Sequence, residues 1–366
     1  MSTSSPIFST LTVAIVVALM LTGCDPFDAK FEPTEDATLY AAKEKSEPRR
    51  EVDSLTVMTW NVKFGGGRID FFFDCYGDRV IMERSEVIEN LEGLAAKIRE
   101  VDPDIVLLQE VDVDSKRAAF VDQLQWLLDH TELDHGAYAS QWRASWIPRH
   151  GLGKVDSGNA IMSRWPLADA TRIALPLIGE QDFITQYFYL KRNILKARVE
   201  VPGWEPLWLL NVHTAAFAKD GTKARQIERF KQELDAIDRR GETFIAGGDL
   251  NTIPPGSERT HSFPDSKCEG EYEADDYREE LGILQPFYDD YKAAIPLEAY
   301  QKDNAPYHTH TTDKDGFWNR KLDYLFTNAS FVDGESLTHQ DEPSGGSDTM
   351  SVSDHAPITV EFESSE

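Results

Sequence analysis

The chain has 366 residues, 41% hydrophobic and 11% aromatic, enough apolar material for a large core and too much for a disordered protein. Its 64 acidic against 37 basic residues give a formal charge of −27, which repels polyanions at long range and argues against a dedicated nucleic-acid-binding module. A nuclease is not excluded, because a metal-loaded cleft can be locally positive on an acidic body.

Residues 1–23 carry no charged side chain, and residues 11–21 are apolar almost throughout. That run is short for a bilayer span and suits the apolar region of an export signal. It leads into Leu21-Thr22-Gly23-Cys24, which resembles the bacterial lipobox, whose cysteine is acylated after cleavage. The absence of Lys and Arg from residues 1–10 departs from that pattern. The resemblance implies a signal peptide over 1–23 and a cell-envelope lipoprotein held to the membrane through Cys24, on the periplasmic or the outer surface. Residues 24–53, rich in Asp, Glu, Lys and Pro, are expected to form a flexible acidic tether. Residues 54–366 then form one domain, expected to be monomeric. Cys75 and Cys268 either pair in an oxidising exterior or remain thiols.

Within that domain, residues 55–62 are β-branched and aromatic and read as a strand, ended by Gly65-Gly66-Gly67. Residues 83–100 show helical spacing, Asp102-Pro103 stops them, and residues 104–109 form a continuously apolar strand of the kind buried on both faces. A helix is expected over 115–130. Strands follow at 137–142, 159–163, 170–175, 194–201 and 207–212. A charged amphipathic helix spans 219–239, and residues 243–247 are the next strand. Residues 256–306 read as a long polar insertion over the site with a helix at 277–284, and strands at 322–327 and 356–362 complete the series. Strands interleaved with few long helices indicate a single α/β sandwich.

Five strand-end segments carry the chemistry. Asp249 and Asn251 are two residues apart, so an extended backbone sends both side chains to one face, where two oxygens suit a hard cation. Glu110 ends an apolar strand, where an unpartnered carboxylate would be costly. Asn61 ends the first strand. Asp354 and His355 are adjacent and reach one site only if the backbone turns there. Asp323 lies in Lys321-Leu322-Asp323-Tyr324. Each has a bland alternative: Asp-x-Asn caps turns, and Asn after a strand is a common turn residue.

Together and in this order, the five segments resemble the endonuclease/exonuclease/phosphatase superfamily with the DNase I-like fold, over residues 54–363. The resemblance implies a four-layer αββα sandwich and a Mg²⁺-dependent phosphoester hydrolase, with Mn²⁺ or Ca²⁺ as substitute ions. It makes Asn61, Glu110, Asp249, Asn251 and Asp354 metal-site residues. It gives His355, oriented by Asp323 and near its ordinary pKa, the part of general base. Asp249 serves catalysis as well. His213 matches the second histidine of the DNase I and sphingomyelinase branches, and Arg192 a phosphate-contacting arginine, with Asn251 also facing substrate. The expected substrate is a phosphodiester, nucleic acid or sphingomyelin-type headgroup. A phosphomonoesterase for inositol-phosphate-like substrates, and a tethered binding protein without activity, are the alternatives. Phe71-Phe72-Phe73 and the basic stretch 142–154 are the sequence features near which substrate selection is expected, although aromatic runs also pack cores.

Overall fold

The computed structural model describes residues 25–46, 52–74, 77–216, 218–265, 276–340 and 348–363. The apolar leader, Cys24, Cys75 and Cys268 lie outside the described residues. Two mixed seven-stranded sheets pack face to face. One runs, in spatial order, β1 (Thr34–Asp36), β7 (Leu167–Ala174), β8 (Asn193–Val199), β9 (Leu207–His213), β10 (Thr243–Asp249), β12 (Asp323–Thr327) and β11 (Lys292–Ala293). The other runs β13 (Phe331–Thr338), β14 (Ile358–Glu363), β3 (Ser54–Asn61), β4 (Ile105–Asp112), β6 (Gly153–Ser163), β5 (His135–Ile147) and β2 (Thr38–Ala41). Outside the sheets lie helices α1 (Arg84–Val101), α2 (Gln123–Leu128), α3 (Phe183–Phe188), α4 (Thr222–Asp238) and α5 (Gln285–Asp290).

Alternation along the central strands builds the layers. In β3, Leu55 and Val57 join the core between the sheets, whereas Met58 and Trp60 face α1. Ile105 and Leu107 of β4 do the same against Val106 and Leu108. On the opposite face Ile227, Phe230, Leu234 and Ile237 of α4 cover Leu210, Val212, Phe244 and Ala246. Strands buried on both faces read as unbroken apolar runs, and the four-layer α/β sandwich follows from this packing.

Three expectations need correction. The tether is not free over residues 25–46: β1 pairs with β7 and β2 pairs with β5, so this segment crosses from an edge of one sheet to an edge of the other. Edge strands need backbone partners more than apolar side chains, and Phe31 is fixed between the guanidinium groups of Arg143 and Arg172, 4.6 and 4.0 Å from its ring centre. The helix expected over 115–130 is only α2, because Ala119 and Phe120 take left-handed φ values of 50° and 55° and Asp122 caps a new start at Gln125 N–H. The helix expected at 277–284 is a series of turns. Gly282, at φ 91°, interrupts it, and α5 begins beyond with Pro286 in its first turn. The insertion also contributes to the core through Leu284, Phe287 and Tyr291.

Candidate active site

Register delivers the site. β9 and β10 run parallel with Asp249 level with His213, and β12 runs antiparallel with Asp323 level with Asp249. In the facing sheet β3 and β4 run parallel, with Asn61 level with Gln109. Both sets of strand ends meet at one edge of the sandwich. A cross-sheet amide pair joins them: Gln109 Nε2 donates to Asn211 Oδ1 (2.7 Å), and Asn211 Nδ2 donates to the carbonyls of Leu108 (2.7 Å) and Ala160 (2.8 Å). Gly248 allows the close approach. Its φ is 128°, and a Cβ there would lie 2.1 Å from Val212 O and 3.0 Å from Asn211 Oδ1.

Glu110 leaves β4 at a bulge, with φ 59°. Its carboxylate accepts from Asn61 Nδ2 at 3.2 Å, and the same amide donates to Asp249 Oδ2 at 3.0 Å. Asn61 therefore bridges two carboxylates from opposite sheets. His213 Nε2 lies 3.4 Å from Asp249 Oδ2, and its Nδ1 lies 4.0 Å from Glu110 Oε1. Asn251, also at a left-handed φ of 48°, gives its backbone N–H to Asp249 Oδ1 (2.9 Å) and its side-chain amide to Thr214 O (3.1 Å). Arg192 is half-buried near these groups and donates to Gln141 Oε1 at 3.2 Å.

The turn required for Asp354 and His355 is present. Ser353 Oγ donates to Asn61 O (2.7 Å) and accepts from His355 N–H (3.1 Å), while Trp60 Nε1 donates to His355 O (2.7 Å). His355 Nδ1 then meets Asp323 Oδ2 at 2.8 Å and its Nε2 lies 3.7 Å from Asp249 Oδ2. Asp354 points elsewhere within the same site, 3.6 Å from Lys63 Nζ, which also pairs with Asp74 at 3.2 Å.

Proton affinities separate the roles. Burial would lower the His355 pKa, but Asp323 and Asp249 outweigh it and raise the imidazole to about 10. The two neighbouring carboxylates thus favour the protonated imidazole. Burial raises Asp249 to about 7 against the opposing charge of His355. Burial also raises Glu110, with Asp354 adding to the effect. Asp354 is held well below the carboxylate range, since Lys63, His355 and His310 overcome its burial. His213 is pressed well below its ordinary value by burial, then by Arg192 and His355, so it is neutral.

Asn61, Glu110, His213, Asp249, Asn251, Asp323 and His355 are joined by these contacts, whereas Asp354 faces Lys63 and Arg192 contacts Gln141. Sequence reasoning missed Lys63, the Gln109–Asn211 bridge and His310, whose ring centre lies 4.4 Å from that of His355. Asn211 was findable, since it sits two residues before His213 on one strand face. Lys63 and His310 gave no periodic signal. Phe71 packs into the core, 4.8 Å from Phe64, so the aromatic run is chiefly structural. A cavity of about 610 Å³ lies beside the site, lined by Lys219, Lys223, Arg278 and Glu280 among others. Lys223 Nζ ties Asn251 O (2.6 Å) to Glu280 (2.7 Å), so the insertion leans on the catalytic loop.

The donor set suits a hard divalent ion. The carboxylates of half-buried Glu110 and buried Asp249 share, among the described residues, one carboxamide donor, and Asp249, Asp323 and His355 offer ligand atoms within 4.8 Å of one another. Oxygen-rich, partly neutralised sites of this kind favour Mg²⁺ or Mn²⁺ over softer ions.

The model of the Endonuclease/Exonuclease/phosphatase family matches residues 58–355. The chain is 26% identical over 190 residues to a protein named inositol phosphosphingolipids phospholipase C from Schizosaccharomyces pombe, a match covering 50% of this chain and 40% of that one. An endonuclease/exonuclease/phosphatase from Beutenbergia cavernae superposes with a TM-score of 0.56 at 20% identity, over 86% of this chain and 72% of the other. The human Nocturnin catalytic domain, with a bound sulfate anion, gives 0.52 at 16% identity over 90% and 98%. At such identities the structural likenesses establish the fold.

Proposed function

Because the chain belongs to the endonuclease/exonuclease/phosphatase family, whose members are phosphoester hydrolases, we propose that it is a divalent-metal-dependent phosphodiesterase acting on phospholipid headgroups. One observation carries the reaction class. Asp249 stands at the centre of the site, bridged to Glu110 by Asn61 and flanked by His213 and by the His355–Asp323 pair. The preference for lipid over nucleic acid is supported by the −27 charge, which repels polyanions, and by the sphingolipid named in the partial relative.

Glu110 and Asn61, with Asp249, Asn251 and Asp354 around them, would hold the cation, which supplies Lewis-acid polarisation of the phosphoryl oxygen. Arg192 and neutral His213 would meet the other phosphate oxygens. His213 Nδ1 has no hydrogen-bond partner among the described residues despite its burial, and a phosphate oxygen would satisfy it. The proton bookkeeping falls to the coupled Asp249–His355 pair. A water oxygen attacks phosphorus and its proton passes to this pair. As the ester P–O bond breaks, the leaving oxygen takes the proton of the His355 imidazolium, which Asp323 holds in place. Asp249→Ala and His355→Ala should each lower Mg²⁺-dependent hydrolysis of bis-p-nitrophenyl phosphate by at least about 10²-fold with the fold intact by circular dichroism. Full activity in both variants would reject the assignment.

A further inference from the structure

The segment entering the domain has no slack. The Asp25 carboxylate accepts from the backbone N–H groups of Ala29 (3.0 Å) and Lys30 (2.8 Å) and from the Tyr187 hydroxyl. Phe27 follows, its ring centre 5.4 Å from Phe188 and 6.1 Å from Trp146. This is the edge of a small core that includes Phe72, Trp142, Ile147, Leu152 and Tyr187. Beside Phe27, Trp146 is 51% exposed, and on α3, whose last residues Tyr187 and Phe188 join this core, Phe183 is 51% and Ile184 49% exposed. Trp146 stands near the tip of the β5–β6 hairpin. Phe183 and Ile184 open α3, which ends at Phe188; six helical residues span only about 9 Å.

The same small core reaches the cleft. Phe72 stacks on His150 at 4.6 Å, and two residues further Asp74 pairs with Lys63. Beyond α3, Arg192 lies close enough to Glu110 and Asp249 to feel their charges.

We propose that this face, with Trp146, Phe183 and Ile184 as its apolar contacts, docks on a lipid bilayer and sets the mouth of the cleft at headgroup level. The occupant follows from the chain ahead of it. Leu21 ends the apolar run and lies four residues before Asp25, a reach of about 14 Å at full extension. Cys24, the lipobox cysteine, is the immediate neighbour of Asp25. An apolar leader or an acyl chain seated in lipid would hold Asp25 and Phe27 at the bilayer surface. Large apolar residues exposed beside such an anchor bury their area in the interface instead of in water, and Trp is the side chain best suited to that depth. The charge of −27 opposes anionic lipid, so the surface is zwitterionic. The docking rests on this geometry and on the apolar leader ahead of Asp25; the delivery of a lipid phosphodiester from the membrane plane into the cleft rests on the function proposed above.

The test uses the full chain reconstituted in phosphatidylcholine vesicles, with part of the lipid brominated in the upper acyl chain. Tryptophan emission should be partly quenched, and Trp146→Phe should abolish most of the quenched fraction. An unchanged quenched fraction in Trp146→Phe overturns the proposal. So does an absence of quenching in the parent chain, including the case where light scattering shows a second copy covering the face. In the same vesicles, Phe183→Ser/Ile184→Ser should lower hydrolysis of an embedded phosphodiester lipid at least tenfold while leaving bis-p-nitrophenyl phosphate hydrolysis unchanged. Equal losses on both substrates would count against docking. If the parent hydrolyses neither, the phosphodiesterase reading fails, and the quenching result still decides the docking.

Discussion

His355 Nε2 and Asp249 Oδ2 lie 3.7 Å apart, and the buried Asp323 favours the proton on the imidazole. Asp323 Oδ2 meets His355 Nδ1 at 2.8 Å and supplies the largest of the influences that raise the imidazole to about 10. Asp323→Asn keeps a side chain of the same shape but removes the charge, so the His355 pKa should fall from that raised value. The amide can also present a donor to Nδ1 and select the wrong tautomer. We expect hydrolysis to drop on the order of 10³-fold, with little change in stability. Histidine NMR titration of the ion-free protein checks the first outcome, and an unmoved His355 resonance would mean that Asp323 does not govern the proton. Lys63 matters at this scale too. By pairing with Asp354 and Asp74 it keeps a third carboxylate ionised near Glu110 and Asp249, where burial pushes both of the latter toward neutrality.

Strand ends, not loops alone, place these groups, and β10 does so with two consecutive glycines. A Cβ on Gly247 would lie 1.9 Å from Tyr324 O, and one on Gly248 would lie 2.1 Å from Val212 O at a φ of 128°. Neither neighbour is a movable side-chain tip; both are backbone of the flanking strands β12 and β9. Gly248→Ala should therefore cost more than about 4 kcal/mol or fail to fold. Gly241→Ala, at φ 70° but with open space around it, should cost only about 1 kcal/mol. Urea denaturation of both variants tests the contrast, and equal losses would show that packing at β10 is not what requires glycine. The elements that carry the site were legible because they are continuous apolar runs ended by polar residues, as at Glu110, His213 and Asp249. β1, β2 and β13 were not. They are edge strands stabilised by pairing with a neighbour, so their polar side chains follow no pattern that burial would impose. That is also why residues 25–46 read as a tether. The convergence of Asp354 and His355 depended on Ser353 reaching Asn61 O across nearly the whole chain, a contact that local spacing cannot encode.

At the scale of the molecule, buried neutral histidines make the fold sensitive to acid. Burial depresses His308 and His339 to about 4, and it holds His213 and His310 well below their ordinary value. An unfolded imidazole takes its proton near 6.5. Below that pH the unfolded chain binds more protons than the folded one, so each such histidine removes stability as pH falls from about 6.5 toward about 4. Asp249 and His355 act in the opposite sense. Their folded pKa values are raised, so what they contribute is present at low pH and is lost as pH rises, through about 7 for Asp249 and about 10 for His355. His339 isolates the acid-sensitive effect, because it lies away from the site. Its Nε2 is paired with Thr359 Oγ1 at 2.8 Å, and after burial the nearby Lys97 depresses it further while Glu100 opposes. His339→Gln retains a polar side chain without a titrating group. Its cost at pH 7.5 should be about 1 kcal/mol for the altered hydrogen bond. At pH 5 the parent should have lost roughly 2 kcal/mol more than the variant. Urea midpoints at the two pH values measure this directly: the gap between parent and variant should narrow or reverse in acid, and a gap independent of pH would mean that His339 is protonated in the folded state.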